Sequence, residues 1–266
     1  MVVEVRFVEQ AMIPSSIVPA FAVTPFVILF VERAGSSFLQ TALKSHPSIL
    51  ARPEKLGALR HDGGSARDQL KWTSRFLNAP LVGRHRAIGF KTKLVDVLDR
   101  EGFAKVLCQR GVKVIHLQRR NSIKAVVSTL NARRQWEVSG NWNLHSEVTR
   151  LPAFTVDPTE FARLLKEREE LNRDLENYVQ TLELPTLRLW YEDLLWDRDS
   201  FLRETLDFLN VPVRRLEATT LKNTKDDLRQ AITNFDELRA SYEGTPYESM
   251  FDEGIDASKG RPPAAN

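Results

Sequence analysis

The chain has one cysteine, Cys108, among its 266 residues. An intrachain disulfide is therefore excluded, as is a zinc site built on paired cysteines. His46, His61, His85, His116 and His145 are scattered, with no HExxH spacing, so the sequence offers no metal centre. No GxxxxGK[ST] loop occurs. The lysine by which an ordinary ATPase or kinase reaches the terminal phosphates is thus missing. An excess of one charge sign is also nearly absent: 38 Lys and Arg stand against 35 Asp and Glu, a formal net charge of +3. With the signs interspersed, no nucleic-acid footprint is expected, while a local basic pocket for a small anion is allowed.

A long unbroken apolar run is lacking too. Ala11 to Val31 is uncharged, but Pro14, Pro19 and Pro25 interrupt it, unlike a membrane-spanning helix. Glu4 and Glu9 sit where a secretory signal would carry positive charge. The expectation is a cytoplasmic or otherwise soluble intracellular protein with no signal peptide or transmembrane segment. At 42% hydrophobic and 27% charged, the composition suffices for a sizeable core.

What is present alternates between two periods. Phe26–Val31 is wholly apolar, as a strand covered on both faces must be. Ser48–Ala51, Ala87–Lys91, Val112–Leu117 and Thr186–Trp190 read as further strands. Between them, helices are predicted around Phe38–Leu43 and over Ala66–Asn78, Leu94–Gln109 and Asn121–Arg134. Phe161, Leu164, Leu165, Arg168, Leu171, Leu175 and Tyr178 share one face of a long helix. Asp199–Asn210 and Asp226–Ala240 complete the helical set, and Trp136–Asp157 is irregular enough to be an insertion or lid. The alternation implies an α/β layered domain with a mainly parallel sheet over 26–250, preceded by a lead-in over 1–25 and followed by a flexible tail over 251–266.

Ligands of such a sheet bind beyond the carboxyl ends of its strands. Three of those ends carry polar groups. In the first, Glu32-Arg33-Ala34-Gly35-Ser36-Ser37-Phe38, a glycine permits a tight turn. A serine can cap the next helix, whose free N–H groups suit an anion, and Arg33 adds a permanent charge. A plain strand–turn–helix reads equally well. In the second, Gln118-Arg119-Arg120-Asn121-Ser122, two arginines precede a helix bearing Ser128. Arg120 and Ser128 could share a phosphate, or the arginines could be a solvated surface pair. In the third, Tyr191-Glu192-Asp193-Leu194, the aromatic either edges a nucleobase or belongs to the core.

Together the three loops resemble the sulfotransferases that use 3′-phosphoadenosine 5′-phosphosulfate (PAPS). Arg33, Gly35, Ser36 and Ser37 match that family's 5′-phosphosulfate loop, with Ala34 replacing a small polar residue. Arg120, Asn121 and Ser128 match its 3′-phosphate element, with Ser122 in place of a proline. Tyr191-Glu192-Asp193-Leu194 is similar to its Tyr-Glu-Asp-Leu segment, whose tyrosine lies near adenine. His46-Pro47 followed by Glu54 resembles the carbohydrate and bacterial branches.

The resemblance implies a P-loop-NTPase-like three-layer α/β domain with a central, mainly parallel sheet flanked by helices. It implies sulfuryl transfer from PAPS to a hydroxyl, or an amine, of a glycan or other small molecule, with adenosine 3′,5′-bisphosphate (PAP) as product and no metal required. Arg33, Ala34, Gly35, Ser36, Ser37, Phe38, Arg120, Ser128, Tyr191 and Lys222 would then bind the nucleotide. Arginines 33 and 120 would grip its two ends. Glu54 is the first choice of general base and His61 the second. Lys91 would reach the sulfuryl group or acceptor, or simply end the sheet, and Lys222 would lie over the nucleotide or in solvent. Trp72, Trp136 and Trp142 would stack on sugars or pack in the core. A nucleotide-dependent kinase and a non-catalytic nucleotide-binding relative are the competing readings.

Overall fold

A computed structural model describes residues 23–78, 85–142, 144, 146–219 and 224–254. The lead-in before residue 23 and the tail beyond residue 254 lie outside the described residues. Among the described residues, five strands form one sheet: β1 (Thr24–Phe30), β2 (Ile49–Arg52), β3 (Ala87–Thr92), β4 (Lys113–Gln118) and β5 (Thr186–Trp190). All four pairings are parallel, in the order β2-β3-β1-β4-β5. The sheet is thus wholly parallel where a mainly parallel one was expected.

The helices are α1 (Ser36–Ser45), α2 (Lys55–His61), α3 (Ala66–Leu77), α4 (Arg100–Gln109), α5 (Ser122–Ser139), α6 (Pro158–Thr181), α7 (Tyr191–Trp196), α8 (Arg198–Phe208), α9 (Phe235–Ala240) and α10 (Glu248–Asp252). The two-residue period of β1 divides them into layers. Phe26, Ile28 and Phe30 face a core that includes Leu39 and Leu43 of α1 and Leu202 and Leu206 of α8. Val27 and Leu29 face the opposite core, with Phe103 and Leu107 of α4 and Leu175 and Val179 of α6. A third cluster joins α5 and α6 to the C-terminal segment through Val127, Phe161, Phe235 and Phe251.

Two predicted helices differ. That over Leu94–Gln109 splits: Leu94–Asp96 forms a single 3-10 turn, and α4 starts only after Asp99, whose carboxylate accepts from the Gly102 N–H at 2.8 Å. That over Asp226–Ala240 is replaced by a 3-10 turn at Leu228–Gln230 and the short α9. Backbone bonds between Phe154 and residues 231 and 233 take that stretch into a parallel bridge instead. Helix periodicity cannot register a competing pairing partner some eighty residues away in the chain.

β1 and β3 approach closely at Gly89. A Cβ there would lie 2.4 Å from the Phe26 carbonyl oxygen and 2.5 Å from its ring. Overpacking a core typically costs about 1–3 kcal/mol, and a backbone atom yields less than a side chain. Gly89→Ala is therefore expected to lower unfolding stability by about 3 kcal/mol or more, read as a drop in the urea midpoint at unchanged slope.

Candidate functional site

β1 lies at the centre of the sheet, and the chain leaves it first to one side and later to the other. The crevice beyond its carboxyl end is where such sheets hold ligands. The turn there is tight. Arg33 adopts φ 64 and Gly35 φ 83. For a non-glycine residue this left-handed backbone costs about 1 kcal/mol or more, so something must hold it. Two arginines do. Arg168 of α6 donates from Nη1 to the Glu32 carbonyl at 2.8 Å, and Arg119 donates from Nη1 to the Arg33 carbonyl at 3.1 Å. Gly35 admits no side chain for a second reason: a Cβ would sit 2.7 Å from the Tyr191 ring.

Gly35 is also the N-cap of α1, and no side chain caps this helix. Neither Ser36 nor Ser37 is the cap anticipated from sequence, because both lie inside the first turn. The first N–H groups of α1 are therefore left to whatever enters the crevice.

The resulting cleft, of about 320 Å³, is lined by Arg33, Gly35, Ser36, Ser37, Phe38, Ser128 and Tyr191, all anticipated. Arg119, Lys124, Arg198 and Lys225 also line it and were not anticipated. Arg33 donates from Nε to Ser128 Oγ at 2.9 Å, which ties the first loop to α5. Burial and the nearby Arg119 hold the Arg33 guanidinium down at about 10. Burial likewise lowers Arg119, and its Nε has no hydrogen-bond partner. Its guanidinium lies 4.7 Å from the Tyr191 ring centre, and burial pushes the Tyr191 hydroxyl up. Neither arginine makes an ion pair among the described residues. A buried and a half-buried cation side by side, with Glu32, Glu192 and Glu253 acting on them without a direct ion pair, are costly unless an anion completes them.

Behind the serines lies a second cluster. Lys91, buried at the end of β3, points Nζ to Ser37 Oγ at 3.0 Å and to Ser36 Oγ at 3.4 Å. It pairs with Glu54 Oε1 at 3.0 Å. Burial lowers the Lys91 pKa, and the Glu54 charge opposes that shift. Glu54 is about one-third exposed and stands just before α2, so one of its faces meets solvent.

Other anticipated residues lie elsewhere. Arg120 is turned out of the cleft: it donates to Asp193 at 2.8 Å and lies 4.7 Å from the Trp190 ring. The structure therefore brings Arg119, not Arg120, beside Arg33. Ala34 is buried against the core rather than lining the cleft. His61 is exposed, with the Asp62 carboxylate 3.6 Å away. His46 is buried and structural, bonding the Pro212 carbonyl and the Ser48 N–H. Lys222 lies outside the described residues, although Thr224 and Lys225 just after it line the cleft.

Glu192 explains the placement of Arg120. Its buried carboxylate accepts the N–H groups of Arg120 at 3.0 Å and Asn121 at 3.1 Å, clamping the turn that starts α5. The second and third motifs are thus one structural unit. Strand alternation could have raised Arg119 as the inward arginine, but β4 ends at Gln118 and the period is lost there.

No family model matches the chain. It is 28% identical over 239 residues to nodulation protein H of Rhizobium tropici, across 86% of this chain and 93% of that protein. It is 25% identical over 242 residues to nodulation protein H of Rhizobium meliloti, across 86% and 95% respectively. Among solved structures, a sulfotransferase from Alicyclobacillus acidocaldarius is similar at TM-score 0.46 and 17% identity, covering 90% of this chain and 99% of that one. The sulfotransferase domain of the curacin biosynthetic pathway is similar at TM-score 0.44 and 16% identity, covering 87% and 90%. Its strand-end motifs stand in the order that the sulfotransferase resemblance implies, and its likeness to nodulation protein H runs through most of both chains.

Proposed function

We propose that the protein moves a sulfuryl group from PAPS to a hydroxyl of a carbohydrate. The observation that carries this reading is the convergence of Arg33, Arg119 and Lys91 on the uncapped start of α1 without a Walker lysine. In it, Arg33, the amides of residues 35–37 and Lys91 hold the 5′-phosphosulfate. Arg119 and Ser128 hold the 3′-phosphate, a role in which Arg119 replaces Arg120. The Tyr191 ring edges the nucleoside. Glu54 faces the acceptor.

The acceptor oxygen then forms a bond to sulfur as the bond from sulfur to the bridging phosphate oxygen breaks. Glu54 takes the acceptor proton, and Lys91 donates to the departing phosphate oxygen, so charge is neutralised at both ends of the displacement. Lys91 also orients the Glu54 carboxylate through their 3.0 Å contact. Among the described residues no group of three or more His, Cys, Asp and Glu side chains could hold a metal ion. No helix among them is long and apolar enough to cross a membrane.

Arg33→Ala is expected to retain the fold and lose sulfuryl transfer by about a hundredfold or more, the usual cost of one such donor. Full activity in that variant would remove Arg33 from the site. Arg119→Ala should weaken PAP binding in calorimetry far more than Arg120→Ala, and the reverse order would return the 3′-phosphate to Arg120. Wild-type protein should be stabilised against heat by PAP but not by ATP or AMP.

Glu54→Gln should lower kcat and leave the PAP dissociation constant unchanged. Because burial lowers the Lys91 pKa and its protonated form is the donor, turnover should fall on the alkaline side below pH 10.5, the value of a free lysine. Lys91→Arg should move that limb upward, and an unmoved limb would assign it to another group.

A further inference from the structure

The tryptophans separate into three environments. Trp72 is packed against Phe76 and Phe90, with ring centres 5.0 Å apart in each case. Trp190 and Trp196 lie over the Arg120 guanidinium. Trp136 and Trp142 instead stack on each other, 5.1 Å apart and 15° from parallel, while remaining 46% and 48% exposed. Nothing in the core explains this pair.

The local chain is shaped to make it. α5 ends at Gly140 with φ 67, and the Gly140 N–H closes onto the Trp136 carbonyl at 2.7 Å. That reversal returns Trp142 over Trp136. The pair is not isolated in its exposure: Val138 and Val148 are exposed on the same stretch. Two large exposed aromatic rings in contact form an apolar surface of the kind that marks a binding site.

Its position assigns the occupant. Arg33 extends Nη1 to within 3.5 Å of the Trp142 carbonyl, while its Nε bonds Ser128 inside the cleft. One guanidinium therefore touches both the anion site and the backbone of the aromatic pair. The aromatic pair therefore adjoins the cleft through the Trp142 backbone, although neither indole lines it.

We infer that Trp136 and Trp142 form a stacking platform for a pyranose ring of the acceptor, with preference for sugars whose hydroxyls are all equatorial. Such rings expose a flat C–H face that lies well on an indole, and their hydroxyls point outward to the cleft. A sugar with an axial hydroxyl roughens that face. This inference rests on the carbohydrate-acceptor reading and deepens it by naming the surface that selects the ring.

The test uses the full chain and intrinsic tryptophan fluorescence without nucleotide, so that acceptor binding is read apart from donor binding. Probes are a β-linked glucose tetramer, an N-acetylglucosamine tetramer and a mannose tetramer. The equatorial oligomers should quench the wild-type protein and bind more tightly than the mannose tetramer. Trp136→Ala and Trp142→Ala should each weaken binding by about tenfold, as loss of an aromatic contact does. Phe at either position should recover most of it, with melting temperature and PAP affinity unchanged. In turnover, KM for the glycan should rise while kcat holds. Unchanged sugar affinity in both Ala variants, or no quenching of wild type while PAP binds, would overturn the platform. Sugar binding without PAP binding would instead overturn the sulfuryl-transfer reading and leave the platform standing.

Discussion

Two buried arginines gripping two successive carbonyls hold the loop on which the site depends. Arg168 binds the Glu32 carbonyl and Arg119 the Arg33 carbonyl, and between them they keep Arg33 in a backbone conformation that a non-glycine residue avoids. Without them the turn would relax and α1 would lose its alignment with β1. Both arginines are nearly sealed from solvent, at 4% and 8% exposure. Arg168 keeps two further nitrogens without partners. Charge buried on this scale is a stability cost, and it is placed where an anionic ligand would offset it.

The second constraint couples the loops. Glu192 is spent on the backbone of residues 120 and 121, and Asp193 on the Arg120 side chain. The aromatic and acidic segment after β5 therefore shapes the turn after β4, while Tyr191 limits what residue 35 can be. Changing one strand end disturbs the other two. Motifs read separately along the chain are, in space, parts of one clamp around the crevice.

β1 was legible because a strand buried on both faces is nearly all apolar, and β1, β4 and β5 fall within two residues of where the sequence places them. The tight turn after β1 was legible because glycine at a strand end permits one, and Gly35 adopts φ 83. Arg119 was not singled out, because alternation stops where β4 stops. The role of Arg168 was hidden for a different reason: it occupies a core-facing position of an amphipathic helix, where sequence spacing reports burial but not the partner. The short α2, α7 and α10 carry too few turns for a period to show.

By itself the sequence determined the alternation of strands and helices, the absence of a Walker lysine and the set of residue types available at each strand end. Those are local properties, set by side-chain period and chemistry over a few residues. Only the tertiary structure decided which of two adjacent arginines enters the cleft, that Lys91 and Glu54 form a pair behind the serines, and which tryptophans face solvent. Each of those depends on contacts between segments distant in the chain, and side-chain direction at a strand's end is settled by the partner waiting there.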